Sequence, residues 1–553
     1  MRDRASRIPR GGVLHADVCV VGAGPAGITV ALALSGKGLS VLLLEAGEQP
    51  LDARAQALYA GEVAPGRPHP PPDSGRARGL GGTSALWHGR CVPLDPIDFE
   101  SRAHVPHSGW PISHGGLQPW YAKANAWLEA GRYDYDARTA LPGTPPLAPA
   151  LDGTAVQAYA IDRWSCPTDF GRRYGRRLEV APDVRVVTGA HCTGVRLDTG
   201  AGAVRLLDVA TLGGNRFQVA AHAVVLAAGA LETARLLLAS NDVMPQGVGN
   251  RYDVVGRYLQ CRLAGRVGTL VLHGSGDPQP VLAADGVPCT PRLGLEAPYQ
   301  RDLGLLNAAL RLESPQAADP AHGSAVLSGR FLLQALRREA DHGEVPVSPE
   351  LLGSHLLNLL REPVANARWL HEVAQRRLAA RHLPPPLPPT RTRRFTIAVQ
   401  AEQQPLASSR VLLGAEPDAL GMRRLRVDWR HCLADIESVS RTLEMAGLEF
   451  ARTEAGRLVF DRERLAHDLL QDGPPPGLHV GTARMGRDPA TSVVDPECRV
   501  HGVRNLYVAG AAVFPTCGHA DPMLTLVALS LRLAERLVQR LQPRRAATEE
   551  VFA

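Results

Sequence analysis

Lysine is nearly missing from this chain. Of its 61 basic residues only Lys37 and Lys123 are lysines, so the basic charge is almost all arginine, as a GC-rich coding bias produces. The net charge of +6 is thin over 553 residues, and no Lys/Arg block is dense enough to line a nucleic-acid groove. No apolar run reaches the roughly 18 uninterrupted residues of a membrane-spanning helix. Met1 to Gly12 is basic and polar with no apolar stretch behind it, so no signal peptide is expected. The nine cysteines form no CxxC pair and no metal-like spacing. This predicts reduced thiols, a cytoplasmic setting and no metal site, zinc and iron–sulfur included. Aromatic residues make up only 5%, with Trp110, Trp120, Trp164, Trp369 and Trp429 too scattered to mark a sugar platform. What the chain does have is a globular balance of 45% hydrophobic and 21% charged residues, and length for two or more domains.

Residues 17–21, Asp-Val-Cys-Val-Val, form a short apolar run typical of a buried strand. Gly22, Gly24 and Gly27 follow at once in a GxGxxG spacing, then a helical pattern over 28–34. A second apolar strand over 41–44 ends at Glu45. Strand, glycine turn, helix, strand and acid thus fall within about thirty residues, the order of a dinucleotide-binding unit. Gly22 allows the tight turn, Gly24 lets backbone approach a pyrophosphate, and Gly27 lets the helix pack on the strand. The free N–H groups and positive dipole end of that helix face the phosphates. Glu45 stands where a carboxylate accepts hydrogen bonds from ribose hydroxyls. This segment alone does not separate FAD from NAD.

Other motifs stand further along. Gly81, Gly82, Thr83 and Ser84 open a glycine-rich loop with small hydroxyls, continuing to Leu86, Trp87, His88 and Gly89. Residues 223–238 read as a buried strand, a turn at Ala228 and Gly229, and a helix. Near the C-terminus come Leu478, His479, Gly481 and Thr482, then the segment ending at Gly510 and Ala511. Last are Gly518, His519, Ala520, Asp521, Pro522 and Met523, which open an amphipathic helix to about Leu541.

In this order the motifs resemble the glucose–methanol–choline (GMC) oxidoreductase family, least so over about 263–395. The resemblance implies an α/β fold, α+β overall. A discontinuous Rossmann-like FAD-binding domain would comprise 1–105, 175–262 and 475–545. A substrate domain with an antiparallel sheet flanked by helices would comprise 106–174 and 263–474, leaving 546–553 as a tail. Segments 401–405 and 409–413 resemble the family's return into the substrate sheet. FAD is the implied cofactor. Beside Gly22, Gly24, Gly27 and Glu45, the residues implied to surround it are Gly81, Gly82, Thr83, Ser84, Trp87, Ala228, Gly229, Gly510, Ala511, Pro522 and Met523. Some members attach FAD through a His in the glycine loop; the matching position here is Leu86, with His88 two residues on, so non-covalent FAD is expected.

Residues 61–75, rich in Pro and Gly, read as an extended lid-like loop. Residues 384–389 read as a proline linker after a helical insertion over 349–380. Leu351, Leu352, Leu356, Leu359 and Leu360 there recur at helical spacing and are expected to face the core, with a partner or membrane-surface helix as the other reading.

The implied reaction is hydride transfer from an alcohol carbon of a small organic substrate to flavin N5, as in GMC alcohol or sugar dehydrogenases and oxidases. It needs a base for the alcohol proton, and a positive environment for the charge reaching the flavin. The helix after Pro522 offers the second through its N-terminal dipole. The family commonly places a His two or three residues before the Gly-Thr pair; the position three before Gly481 carries Leu478, and His479, two before it, is the main candidate base. The family's Asn in the last motif is Asp521 here, next to His519. Ionised, Asp521 opposes hydride arrival and favours protonated His479; neutral, it donates a hydrogen bond as Asn does; it can also accept the substrate proton or cap the last helix. These departures keep open a second class, a non-redox or photochemical lyase or decarboxylase. A degenerate non-enzymatic protein fits poorly with the intact glycine set and Glu45. The electron acceptor, whether oxygen, a quinone or a redox protein, is left open.

Overall fold

The chain's apolar runs become the centre of two sheets. In the structure, a computed structural model, residues 1–48, 52–342, 348–361, 363–378 and 386–552 are described. Strand Val13–Val21 lies parallel between Val41–Glu45 and Arg216–Leu226. Val184–Thr188 and then Arg2–Arg4 extend one side, Val204–Ala210 and His191–Leu197 the other, and Leu506–Val508 pairs parallel with the end of Arg216–Leu226. Val18, Cys19 and Val20 are fully buried, as are the residues of Val41–Glu45. Such continuous runs suit a sheet covered on both faces, each Val or Leu contributing about 1.5–3 kcal/mol of burial. Helix Pro25–Leu34 covers one face and packs against the C-terminal helix Pro522–Phe552.

The glycine turn holds this corner together. Pro25 starts its helix at the first position, where its missing N–H costs nothing. A Cβ on Gly27 would stand 1.8 Å from the Gly22 carbonyl oxygen, so the helix sits where only glycine lets it. A Cβ on Gly24 would meet no protein atom within 4 Å.

The second sheet is antiparallel: Leu293–Gly294, Ala308–Glu313, Arg394–Ala401, Leu263–Leu272 and Gly456–Phe460, in that order. Helices Leu433–Arg452 and Leu465–Leu470 pack on it. The α/β architecture with a Rossmann-like sheet and an antiparallel substrate-side sheet is therefore as the resemblance implied.

Three details differ from the sequence reading. Only Arg394–Ala401 joins the five-stranded sheet; Arg410–Pro417 instead pairs with Arg423–Asp428, which pairs with Glu62–Val63 at the start of the proline-rich loop. The final helix runs on through 546–552 rather than ending near Leu541. The leucine stripe is not core: Leu352, Leu356, Leu359 and Leu360 are exposed. Helix Pro349–Arg361 turns polar residues inward instead. His355 Nδ1 lies 2.9 Å from Ser328 Oγ, and Asn358 donates to Ser328 Oγ and to the Pro320 carbonyl. Periodicity locates a stripe but not the side it faces. Of the proline linker, residues 384 and 385 lie outside the described residues.

Candidate active site

A cavity of about 660 Å³ connects the carboxyl ends of the parallel strands with one face of the antiparallel sheet. Ligands in open α/β sheets bind at those strand ends. The strands end at Val21, Glu45, Leu226 and Val508, and Val21, Glu45, Ala227 and Ala509 reach the cavity wall.

Two ends of the cavity differ in construction. At the first, Gly22, Gly24, Gly82, Thr83, Ala228 and Gly229 contribute wall. Glu45 is buried, with one oxygen accepting from the Ala23 N–H at 2.7 Å and the other from the Gly47 N–H at 2.8 Å. Burial raises its pKa against those hydrogen bonds. Each oxygen keeps a lone pair for a further donor. Helix Pro25–Leu34 has no side-chain cap, and Gly24 before it opens into the cavity, a place where a Cβ would occupy ligand space. Gly229, with φ +81°, begins helix Ala230–Ala239 and is likewise open. This donor set and glycine cradle fit FAD.

The remaining predicted residues divide. Trp87, Gly510, Ala511, Pro522, Met523, His479 and Asp521 line the cavity. Gly27, Gly81, Ser84 and His519 do not. Ser84 donates to the Gly81 carbonyl at 2.6 Å and accepts from the Phe170 N–H at 2.9 Å, which fixes the loop from behind. Leu86 and His88 both reach the wall.

At the second end, His479 is brought in by tight backbone packing. Val480 bridges to Gln260, and Gly481 takes φ +89° against the Tyr258 carbonyl. The proline-rich loop closes over this segment, since a Cβ on Gly473 would stand 2.4 Å from the Pro68 carbonyl oxygen. As a result His69 Nε2 sits 3.0 Å from His479 Nε2. His69 Nδ1 lies 2.6 Å from the Pro70 carbonyl; a carbonyl only accepts, so that nitrogen carries the proton. In neutral His69 the Nε2 lone pair then accepts the His479 Nε2–H, and the His479 lone pair is on Nδ1. Burial, then His69 and Arg76, hold His479 well below the usual imidazole range, and burial lowers His69 as well. Both rings are neutral at pH 7. Cys261 joins them, its sulfur and the two imidazoles offering ligand atoms within 4.8 Å of one another, a grouping that sequence spacing cannot reveal.

Asp521 pairs with Arg262 through a short contact and with Arg90 at 3.7 Å. Burial pushes its carboxyl up, but Arg262 and Arg90 outweigh that and hold it ionised. His519 is fully buried behind the wall. Its Nε2 lies 2.6 Å from Arg292 Nη1 and 3.0 Å from Asp95, and burial with Arg292 lowers its pKa. Sequence reasoning missed His69, Arg90, Cys261, Arg262, Arg311 and Gln400. For Arg311 one signal was present, an arginine inside an apolar strand pattern.

The chain is similar to known proteins in sequence and in fold. Residues 17–280 match the sequence profile of FAD dependent oxidoreductases, and residues 405–530 match that of GMC oxidoreductases. The chain is 26% identical to 6'''-hydroxyparomomycin C oxidase of Streptomyces lividus, covering 96% of this chain and 93% of that protein. It is 24% identical to 2-methyl-1,2-propanediol dehydrogenase of Mycolicibacterium austroafricanum, covering 95% of each. Among solved structures, pyridoxine 4-oxidase from Mesorbium loti superposes with a TM-score of 0.53 at 19% identity, over 94% of this chain and 98% of that one.

Proposed function

From the premise that the chain belongs to the GMC oxidoreductase family and is an FAD-dependent oxidoreductase, we propose that it oxidises an alcohol carbon of a small substrate, with His479 as the base. A full-length relative named as a diol dehydrogenase supports the alcohol. The observation that carries the reading is His479 at the cavity wall, paired with His69 outside it. Bound FAD would supply the hydride acceptor, held without a covalent bond because Leu86 offers no nucleophile. His479 Nδ1 has no hydrogen-bond partner among the described residues and is unprotonated at pH 7, so it can take the alcohol proton. Its Nε2–H can then pass to His69 Nε2, leaving the charge on a ring whose Nδ1–H is already held by the Pro70 carbonyl. Asp521, ionised and paired with two arginines, is a poor base and serves to hold Arg262.

The test is anaerobic bleaching of the flavin by a panel of alcohols, sugars and hydroxy acids. With a bleaching substrate in hand, His479→Ala is expected to slow reduction about 10²- to 10⁴-fold. His69→Ala is expected to slow it less, by about tenfold, and to shift the acid limb of the pH profile. Reduction of His479→Ala at the wild-type rate would remove His479 from the mechanism.

A further inference from the structure

The second end of the cavity carries a charge that the protein itself leaves without a close partner. Four guanidinium groups, on Arg90, Arg262, Arg292 and Arg311, cluster with three carboxylates, on Asp95, Asp162 and Asp521. Arg90 donates to Asp162 at 2.7 Å, Arg262 holds Asp521, and Arg292 lies between Asp162 and Asp95. Asp98, next to Asp95, is driven toward its neutral form by burial and by Glu402, and Glu402 is neutralised by two hydrogen bonds from Arg102. One positive charge is therefore in excess, and the geometry puts it on Arg311. The Arg311 guanidinium makes no hydrogen bond among the described residues; it reaches Asp162 only at 3.6 Å, on a carboxylate already shared by Arg90 and Arg292.

Sheet register aims this group at the cavity. Ala264 pairs with Gln400, and Gln400 pairs with Ala309, two residues before Arg311. Alternate residues share a face, so Gln400 and Arg311 project together, with Arg262 two residues before Ala264. All three line the cavity. Opposite Arg311 on the next strand is Ala398, too small to fill the space. The Arg311 guanidinium lies 5.2 Å from the ring of Trp164, whose indole N–H is fixed on Thr290.

We propose that this wall binds an oxyanion group, a carboxylate or a phosphate, on the substrate, with Arg311 as its principal partner. This rests on the reading of the cavity as an alcohol-oxidising site and narrows its substrate to anionic alcohols. A ligand that displaces the cavity water must give Arg311 an acceptor or leave a cation buried and bare. A carboxylate or phosphate meets a planar guanidinium with two parallel hydrogen bonds, while a neutral alcohol pays for desolvation without that return.

The test uses the flavin-loaded protein and two sets of probes. Acetate and inorganic phosphate are titrated against chloride and neutral acetamide, following the flavin's visible absorbance. Glycerol, glycerate and glycerol 3-phosphate are compared as anaerobic reductants. Acetate or phosphate is expected to bind saturably and acetamide not, with binding about 10- to 100-fold weaker in Arg311→Gln and partly restored in Arg311→Lys. Which of the two anions binds, and which glycerol derivative reduces faster, tells carboxylate from phosphate. Anions that bind no better than chloride or acetamide, or equally well to Arg311→Gln, overturn the proposal. If Arg311→Gln loses its flavin, the acetate–acetamide contrast in the wild type decides. Arg311-dependent anion binding with no reductant active would keep the anion site and sink the alcohol-oxidising reading; reduction by neutral glycerol with no anion binding would do the reverse.

Discussion

The two ends of the cavity are made of different material. The first is built around a backbone cradle: glycines at 22, 24, 82 and 229, N–H groups at a helix start, and the carboxylate of Glu45 anchored on two N–H groups, with Arg78, Glu232 and His191 at its margin. The second is side chain: arginines, carboxylates and imidazoles held by one another. A backbone cradle is specified by what the chain omits, since a Cβ is excluded by sterics at Gly27 and would sit in ligand space at Gly24. A charge cluster is specified by balance, so its paired members fix one another's position and removing one partner strands the other.

The largest effect should therefore come from unbalancing the second end. Asp162 has no solvent exposure and is shared by Arg90, Arg292 and Arg311. Burial raises its pKa, but the three arginines outweigh that and keep it ionised. Asp162→Asn leaves three buried cations short of a counter-charge, and breaking a buried ion pair from one side costs about 3–5 kcal/mol. Denaturant melts of wild type and variant would measure this. The double variant Asp162→Asn, Arg311→Gln should recover part of the loss, because it removes the excess charge as well. A cost under about 1 kcal/mol would mean that the cluster is better solvated than its burial implies.

The first end was legible in the sequence because its parts are neighbours. Gly22 to Glu45 is one strand–turn–helix–strand unit, and each glycine has a steric reason at a fixed offset. The second end draws on residues near 69, 90, 162, 262, 311, 479 and 521, and only the fold brings them together. His479 and Asp521 were visible through their motifs. Their partners His69, Arg90 and Arg262 were not, since nothing local marks them. The same limit explains the leucines of Pro349–Arg361: spacing shows a stripe, while His355 and Asn358 decide which side packs.

A glycine pair sharpens the contrast at the next size of effect. Gly27→Ala puts a Cβ against the Gly22 carbonyl at 1.8 Å and should cost about 3 kcal/mol or more of stability, with or without FAD. Gly24→Ala meets no protein atom within 4 Å. It should leave the melting temperature of the flavin-free protein nearly unchanged while weakening FAD about tenfold or more, read by flavin fluorescence titration. Equal loss of stability in both would mean that Gly24 serves packing, not a ligand.

The smallest effect is a titration at the first end. His191 lines the cavity there, is buried, and has its pKa pulled down to about 4 by burial and by Arg78. Unfolded, a histidine titrates near 6.5. As pH falls below about 6.5 the unfolded chain takes up this proton and the folded protein does not, so stability drops until pH reaches about 4, where the folded form binds it too. His191 alone should account for on the order of 1–2 kcal/mol between pH 7 and pH 5. His479 and His69, lowered in the same direction, add to the same slope from the other end. His191→Asn should flatten the fall in melting temperature over that range without changing stability at pH 8 by a comparable amount, because its Nδ1 is buried with no partner to lose. An unchanged slope would place the acid sensitivity in the other histidines whose pKa burial lowers, His479, His69 and His519 among them, and the double variant His191→Asn, His69→Asn would then show how much of it lies in the His479–His69 pair.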